Sequence, residues 1–271
     1  MSDTTTDLRP LEIEKSRTPT IVTDATAMVS RSLRLSRRNL EVLLTSLRLP
    51  VILMLMFVYL FGGAIDTGTA YVSYVVPGVL VLCAGFGSAS TAVSVSQDMH
   101  GGIMDRFRSM GVNGAAVLSG HVAASLVRNA ASTVLVFGVA FLIGFRSAAG
   151  PLGWLAAGGI LLLFIIAISW LAALVGLLAR TPEGANGFTF FLMFLPYASS
   201  AFVPIDTMPV WLQGFSGHQP VTPVIESVRG LLDGTPVGTS PWLAIAWCGG
   251  SPSSRRCCPW WRSGAGRPDR R

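Results

Sequence analysis

The sequence predicts an all-α fold, a polytopic bundle of helices crossing a membrane. Hydrophobic residues make up 51% of the chain and charged residues only 13%, where a soluble domain carries about 25% charged residues. The mean hydropathy is +0.57. The charges are gathered into short islands between uncharged tracts, and about 20 such residues cross the roughly 30 Å hydrocarbon core of a bilayer. At 271 residues the chain accommodates one membrane domain.

Residues 1–27 mix acidic, basic and polar side chains without an apolar core. They are predicted to form a disordered cytosolic arm, not a cleaved secretory signal. Residues 28–48 set Val29, Leu33, Leu40, Leu44 and Leu47 at helical spacing, with Arg31, Arg34 and Arg38 on another face. That pattern predicts an amphipathic interfacial helix, its arginines against anionic headgroups.

The transmembrane domain is assigned to residues 49–247. A first span covers 49–65, with Pro50 where a helix can start without losing a hydrogen bond. A second covers 70–96, with Pro77 expected to kink it or mark its ordered start. The third is assigned to 129–145, with Arg128 snorkelling to the interface before it. The fourth and fifth are 153–179 and 185–203, and a sixth begins at 241. The fifth carries Phe190, Phe194 and Tyr197, which as packing fill a core and as function line a path for an apolar substrate.

Between the second and third spans lies the charged island QDMHGGIMDRFRSM, residues 97–110. Ile103, Phe107 and Met110 fall on one helical stripe, while Asp98, Asp105, Arg106 and Arg108 take other faces. Such a short amphipathic helix can seat its stripe in a groove of a partner while its charges fix register. Gly101 and Gly102 supply the bend that lets it lie flat. We assign Gln97, Asp98, Gly102, Ile103, Asp105, Arg106, Phe107 and Arg108 to partner binding.

Residues 204–240 are broken by Pro204, Pro209, Pro220 and Pro223. Within them 224–232 is helical by pattern, with Glu226, Arg229 and Asp233 facing away from Val224, Ile225, Val228 and Leu231. An amphipathic cap on the outer surface, including Pro204, Pro209, Trp211, Glu226 and Arg229, is one reading. A re-entrant pair of half-helices within the bundle is the other.

Arginine dominates the segments before the first span and between spans two and three, whereas Arg146 and Arg229 are the basic residues of the outer segments. The positive-inside rule therefore puts the amino terminus in the cytoplasm. Lys15 is the sole lysine of a chain with net charge +6, and arginine beside membrane ends accounts for that charge without nucleic acid. The cysteines show neither a disulfide framework nor a metal-ligand spacing.

The tail, 248–271, does not continue the sixth span. Arg255 and Arg256 fall where the bilayer centre would be, at about 2.5 to 3.5 kcal/mol each. Its Arg, Cys, Trp and Pro content suits a reading-frame change near Gly250. A genuine basic tail is the alternative.

Four stretches, YVSYVVPG at 71–78, GGIMDRFRSM at 101–110, SSAFVPIDTMPVWL at 199–212 and QPVTPVIESVRGLLDG at 219–234, resemble the inner-membrane permease subunits of type-2 ATP-binding-cassette exporters, in the daunorubicin-resistance-like branch. The resemblance implies a six-helix permease, here with its sixth span disrupted. It implies that the island is a coupling helix docked on a separate ATPase, with Asp98, Gly102, Asp105, Arg106 and Arg108 matching by position. Gly111 departs from the proline common at that place. It also implies a second permease chain, a homodimer.

A Walker phosphate loop needs a lysine after its glycines, and Lys15 follows Glu14 in a glycine-free arm. The chain is therefore expected to bind no cofactor and to be no enzyme, with ATP and Mg on the partner ATPase subunit. Export of a drug, antibiotic or lipid-like amphipathic substrate from the cell, across the inner (plasma) membrane, is the leading function. An ion-coupled secondary transporter usually buries ionisable residues in its spans, and the apolar tracts hold essentially none. That reading and an inactive frameshifted permease are the alternatives.

Overall fold

The computed structural model describes residue 48 and residues 50–63, 70–102, 114–179, 181–235 and 238–250. The predicted arm, nearly all of the interfacial helix, the 64–69 turn, Ile103 to Arg108 and the tail beyond Gly250 lie outside the described residues. Every element described is helical. In chain order they are α1 (Pro50–Phe61), α2 (Tyr71–His100), α3 (Gly114–Ile143), α4 (Pro151–Leu178), α5 (Pro182–Tyr197), a 3-10 turn (Ile205–Thr207), α6 (Val210–His218), α7 (Val221–Asp233) and α8 (Ser240–Gly250).

Among the described residues three helices are long and apolar enough to span a bilayer: α2, α3 from Val117, and α4. They share that role unequally. In α2 72% of the most apolar window is buried, against 22% in α3 and 39% in α4. A helix apolar on all sides is a core helix or a lipid-facing one; α2 is the first kind, packing on α3, α4, α5 and α7. Its valine run Val75, Val76, Val79 and Val81 is fully buried.

Local chemistry sets the helix ends. Pro151 and Pro182 open α4 and α5, where a missing N–H costs nothing. Thr181 caps α5, its Oγ1 accepting from the Gly184 N–H at 3.1 Å. α7 stops at Gly234, whose φ of +69° is the left-handed geometry that favours glycine. Pro77 is carried inside α2, so the Ser73 carbonyl lacks its helical donor. The next residue, Gly78, lets the turn after α5 press against α2, since a Cβ there would stand 2.7 Å from the Ala201 Cβ.

Several boundaries differ from the sequence reading. α2 runs on to His100, so Gln97 and Asp98 are helical. The third span, expected at 129–145, is one helix from Gly114 to Ile143, and Arg128 sits in its middle. The expectation that the apolar tracts hold no ionisable group fails there. α5 has 16 residues, about 24 Å, and gives way to turns at Ala198. Cys248 to Gly250, placed in the tail from sequence, continue α8.

The apolar face that the sequence pattern gave to 224–232 is packed inward. Val221, Val224, Ile225, Val228 and Leu232 of α7 are buried in the main core, where α7 packs on α2, α4 and α8. α6 stays outside, with Trp211 exposed. Of the two, α7 is held against the bundle and α6 lies on its surface.

Candidate functional site

Four features of the bundle have the chemistry to act, and α2 touches all of them. At its His100 end, where the chain enters the island, α2 faces α3. The His121 Nε2 lies 3.0 Å from Asp98 Oδ2. His100 turns back to its own helix through Nδ1 and the Ser96 carbonyl at 2.8 Å, and Gly102 adopts φ +70° to lead the chain away. Below the pair, Met99 and Trp170 join α2, α3 and α4 in two small apolar clusters. Of the residues assigned to partner binding, Gln97 is exposed, Asp98 is engaged by His121 and Gly102 closes the helix. Ile103, Asp105, Arg106, Phe107 and Arg108 lie outside the described residues.

Further along the same two helices runs a polar seam. Arg128 Nη2 donates to Thr91 Oγ1 at 2.9 Å. Ser125 and Ser169 hydroxyls meet at 2.8 Å, Ser88 joins Ser169 at 3.3 Å, and Asn129 Nδ2 donates to Ser125 at 3.3 Å. Asn129 lies flat on Gly87, where a Cβ would come within 2.1 Å of its Oδ1. Hydroxyl and amide groups of this kind bind helices together in hydrocarbon, at about 0.6 kcal/mol each. The seam links α2, α3 and α4.

The register of α2 and α3 decides how Arg128 is placed. Thr91 precedes Asp98 by as many residues as Arg128 follows His121, so the two contacts are rungs of one antiparallel pair. Arg128 thus reaches sideways at its own level, about 10 Å from the Asp98 rung. It does not snorkel towards the helix end as the sequence reading expected.

At the Tyr71 end the key side chain is Arg229 of α7. Its Nη2 donates to the Ser200 carbonyl at 2.6 Å and to the Tyr74 carbonyl at 3.1 Å. Its guanidinium carbon stands 3.6 Å from the Tyr74 ring centroid, a cation–π contact. One arginine thereby joins α2, α7 and the turn after α5. The sequence pattern had turned Arg229 outward; the packing of α7 turns it in. Tyr71 adds a second tie, its hydroxyl donating to the Phe202 carbonyl at 3.0 Å. Glu226, on the same helix, is half-buried and accepts from Ser240 at 3.5 Å. Pro204 and Pro209 precede the 3-10 turn and α6, on the exposed side with Trp211.

Between these ends lies a cavity of about 540 Å³. Its wall is apolar and includes Val81 and Gly85 of α2, Phe164 and Ile168 of α4, Pro196 of α5 and Trp247 of α8. Sequence reasoning did not find it, because the residues come from helices far apart in the chain. The aromatic path residues are elsewhere. Phe190, Phe194 and Tyr197 do form one ladder, with ring centroids 5.1 and 6.4 Å apart. They occupy the exposed face of α5, and Tyr197 continues the stack to Phe202 and on to Phe57 at 5.4 and 4.2 Å.

Among the described residues no group of His, Cys, Asp and Glu is placed to hold a metal ion.

Comparison with known proteins gives this architecture its relatives. The family described as ABC-2 type transporter matches residues 23–232. The chain is 33% identical over 189 residues to the daunorubicin resistance ABC transporter permease protein DrrB1 of Streptomyces coeruleorubidus, covering 69% of this chain and 67% of that protein. It is 24% identical over 256 residues to the probable doxorubicin resistance ABC transporter permease protein DrrC of Mycobacterium tuberculosis, covering 91% of this chain and 92% of that one.

Proposed function

On the premise that the chain belongs to the ABC-2 type transporter family, we propose that it is the membrane permease of an exporter moving an amphipathic drug, antibiotic or lipid-like molecule out of the cell. The names of its relatives, resistance permeases for daunorubicin and doxorubicin, support that substrate class.

The geometric observation behind the mechanism is that the most buried of the three long helices, α2, ends at the charged island. A force applied to residues 97–110 is delivered straight into the helix that α3, α4, α5 and α7 pack against. The Asp98–His121 contact makes α3 move with α2 at that end. In this reading a separate ATP-binding-cassette subunit, carrying ATP and Mg, docks on Gln97, Asp98, Gly102, Ile103, Asp105, Arg106, Phe107 and Arg108. Closure of two such ATPases rocks a pair of permease chains between inward-open and outward-open states. The His100 end of α2 and the amino terminus are then cytoplasmic, in agreement with the distribution of arginine.

The apolar cavity and the exposed ladder of Phe190, Phe194 and Tyr197 are the two surfaces on which an apolar body can ride. Pockets of that composition discriminate weakly among amphipathic molecules, which suits a resistance exporter.

The docking role is tested by exchanging charge on the island. Asp105→Arg together with Arg108→Glu should abolish co-purification of the ATPase while membrane insertion continues. Co-purification at the wild-type level would refute it.

A further inference from the structure

We propose that Arg128 and the exposed stripe of α3 beyond it form a binding site for an anionic lipid of the inner leaflet, its phosphate on the guanidinium and one acyl chain along the helix. The assignment deepens the permease reading and rests on it for the direction called inner.

The head of the site is a charge without a counter-charge among the described residues. Arg128 lies in the middle of a helix with the length and composition of a membrane span. Among the described residues its guanidinium has one hydrogen-bond partner, the Thr91 hydroxyl at 2.9 Å. Its Nε is buried and makes no hydrogen bond. The acid–base contact present among the described residues is His121 with Asp98, one rung away. A guanidinium in a low-dielectric setting is stable there only if an anion meets it, and its planar fork matches two oxygens of a phosphate or carboxylate.

The tail of the site follows from helical spacing. Ala131, Leu135, Gly138 and Leu142 succeed Arg128 at steps of three and four residues, and each of them is exposed. Leu135 is 37% and Leu142 89% exposed. At 1.5 Å per residue the stripe is about 21 Å long, more than half the hydrocarbon thickness. Ala131 and Gly138 make it shallow, and a Cβ at Gly138 would meet nothing within 4 Å. α3, at 30 residues, is about 45 Å long against about 30 Å of hydrocarbon. With its Ile143 end at the outer boundary and the His100 end of α2 on the cytoplasmic side, Arg128 lies about 8 Å inside the inner boundary. The apolar stripe runs from there through the bilayer centre. That is the orientation of an inner-leaflet lipid, headgroup down and chains up. A free small anion would satisfy the guanidinium and leave the stripe unused.

The test is direct lipid retention by the full chain in phosphatidylcholine nanodiscs, read by native mass spectrometry, with neither ATPase nor ATP present. Dioleoyl phosphatidylglycerol and dioleoylglycerol, equal in their chains, are offered in competition. The wild type should retain the phosphatidylglycerol at least tenfold over the neutral lipid. Arg128→Gln should erase that preference and Arg128→Lys should keep most of it. Ala131→Trp, at an exposed position with the charge untouched, should weaken retention of both lipids. Equal retention by the wild type, or an unchanged preference in Arg128→Gln, overturns the site. Displacement of the lipid by inorganic phosphate at equal concentration overturns the lipid assignment in favour of a free anion. Because the assay needs no transport, a wild type that prefers phosphatidylglycerol here but, reconstituted with its ATPase and ATP, exports no amphipathic drug upholds the site and refutes the exporter reading alone.

Discussion

His121 Nε2 stands 3.0 Å from Asp98 Oδ2, closing the mouth of the hairpin that α2 and α3 make around the charged island. An ionised carboxylate only accepts, so the imidazole presents its N–H to Asp98. The side chains are 17% and 23% exposed, and such a pair contributes about 1 kcal/mol or less to stability. Its position matters more than its strength, because it makes two helices answer as one to a push from the island. We predict that His121→Ala leaves the thermal midpoint almost unchanged and lowers substrate moved per ATP by roughly fivefold, the effect of about 1 kcal/mol of lost coupling. Reconstituted liposomes measure that ratio. A wild-type ratio in the variant would remove the clasp from the mechanism.

Arg229 should behave in the opposite way, as a determinant of stability. Charged donors to carbonyls contribute about 1.5 to 3 kcal/mol each, and the stack on Tyr74 about 0.5 to 2. Since these share one side chain, we predict a loss of about 3 kcal/mol for Arg229→Ala. Arg229→Lys should fall between, as an ammonium is a point charge without the planar fork that serves Tyr74 and Ser200 together. Denaturation in detergent micelles gives the order. A lysine variant as stable as the wild type would show that the two carbonyls do not need a fork.

Close approach of helices makes a third prediction. At Gly176 of α4 a Cβ would stand 2.3 Å from the Ala92 carbonyl oxygen and 3.0 Å from the Val95 Cβ. Gly176→Ala must therefore part α4 from α2, at about 1 to 3 kcal/mol. Gly158 of the same helix meets nothing within 4 Å, so Gly158→Ala should be neutral or stabilising by up to about 1 kcal/mol. Comparing the two variants by thermal unfolding separates crowding from helix propensity. Equal effects would mean that α2 and α4 are not in close contact at Gly176.

Hydropathy alone was enough to recognise an all-helical membrane bundle and most of its helices, because a bilayer admits few other structures. What it missed is informative. Glu226, Arg229 and Asp233 form a polar stripe that any helical projection finds, but the projection does not say what lies opposite. Here it is the Tyr74 ring and carbonyl of another helix. Arg128 was read as the edge of a span, since a charge in hydrocarbon is costly; its partner Thr91 is 37 residues away, and only the antiparallel register brings them level. Phe190, Phe194 and Tyr197 were read from sequence as one aromatic group of the fifth span, but composition could not tell an inward face from an outward one. The cavity was invisible for the same reason, as its wall takes a few residues from each of five helices.

α5 gives out after 16 residues, about 24 Å against a hydrocarbon core of about 30 Å, and α7 brings Arg229 against the turn that follows it. A helix of that length does not reach across a bilayer by itself, so at the end of α5 the backbone must find its hydrogen bonds in the protein rather than in the next helical turn. Arg229 supplies one of them, donating to the Ser200 carbonyl in the turn that follows. The short helix and the buried arginine are thus two halves of one solution.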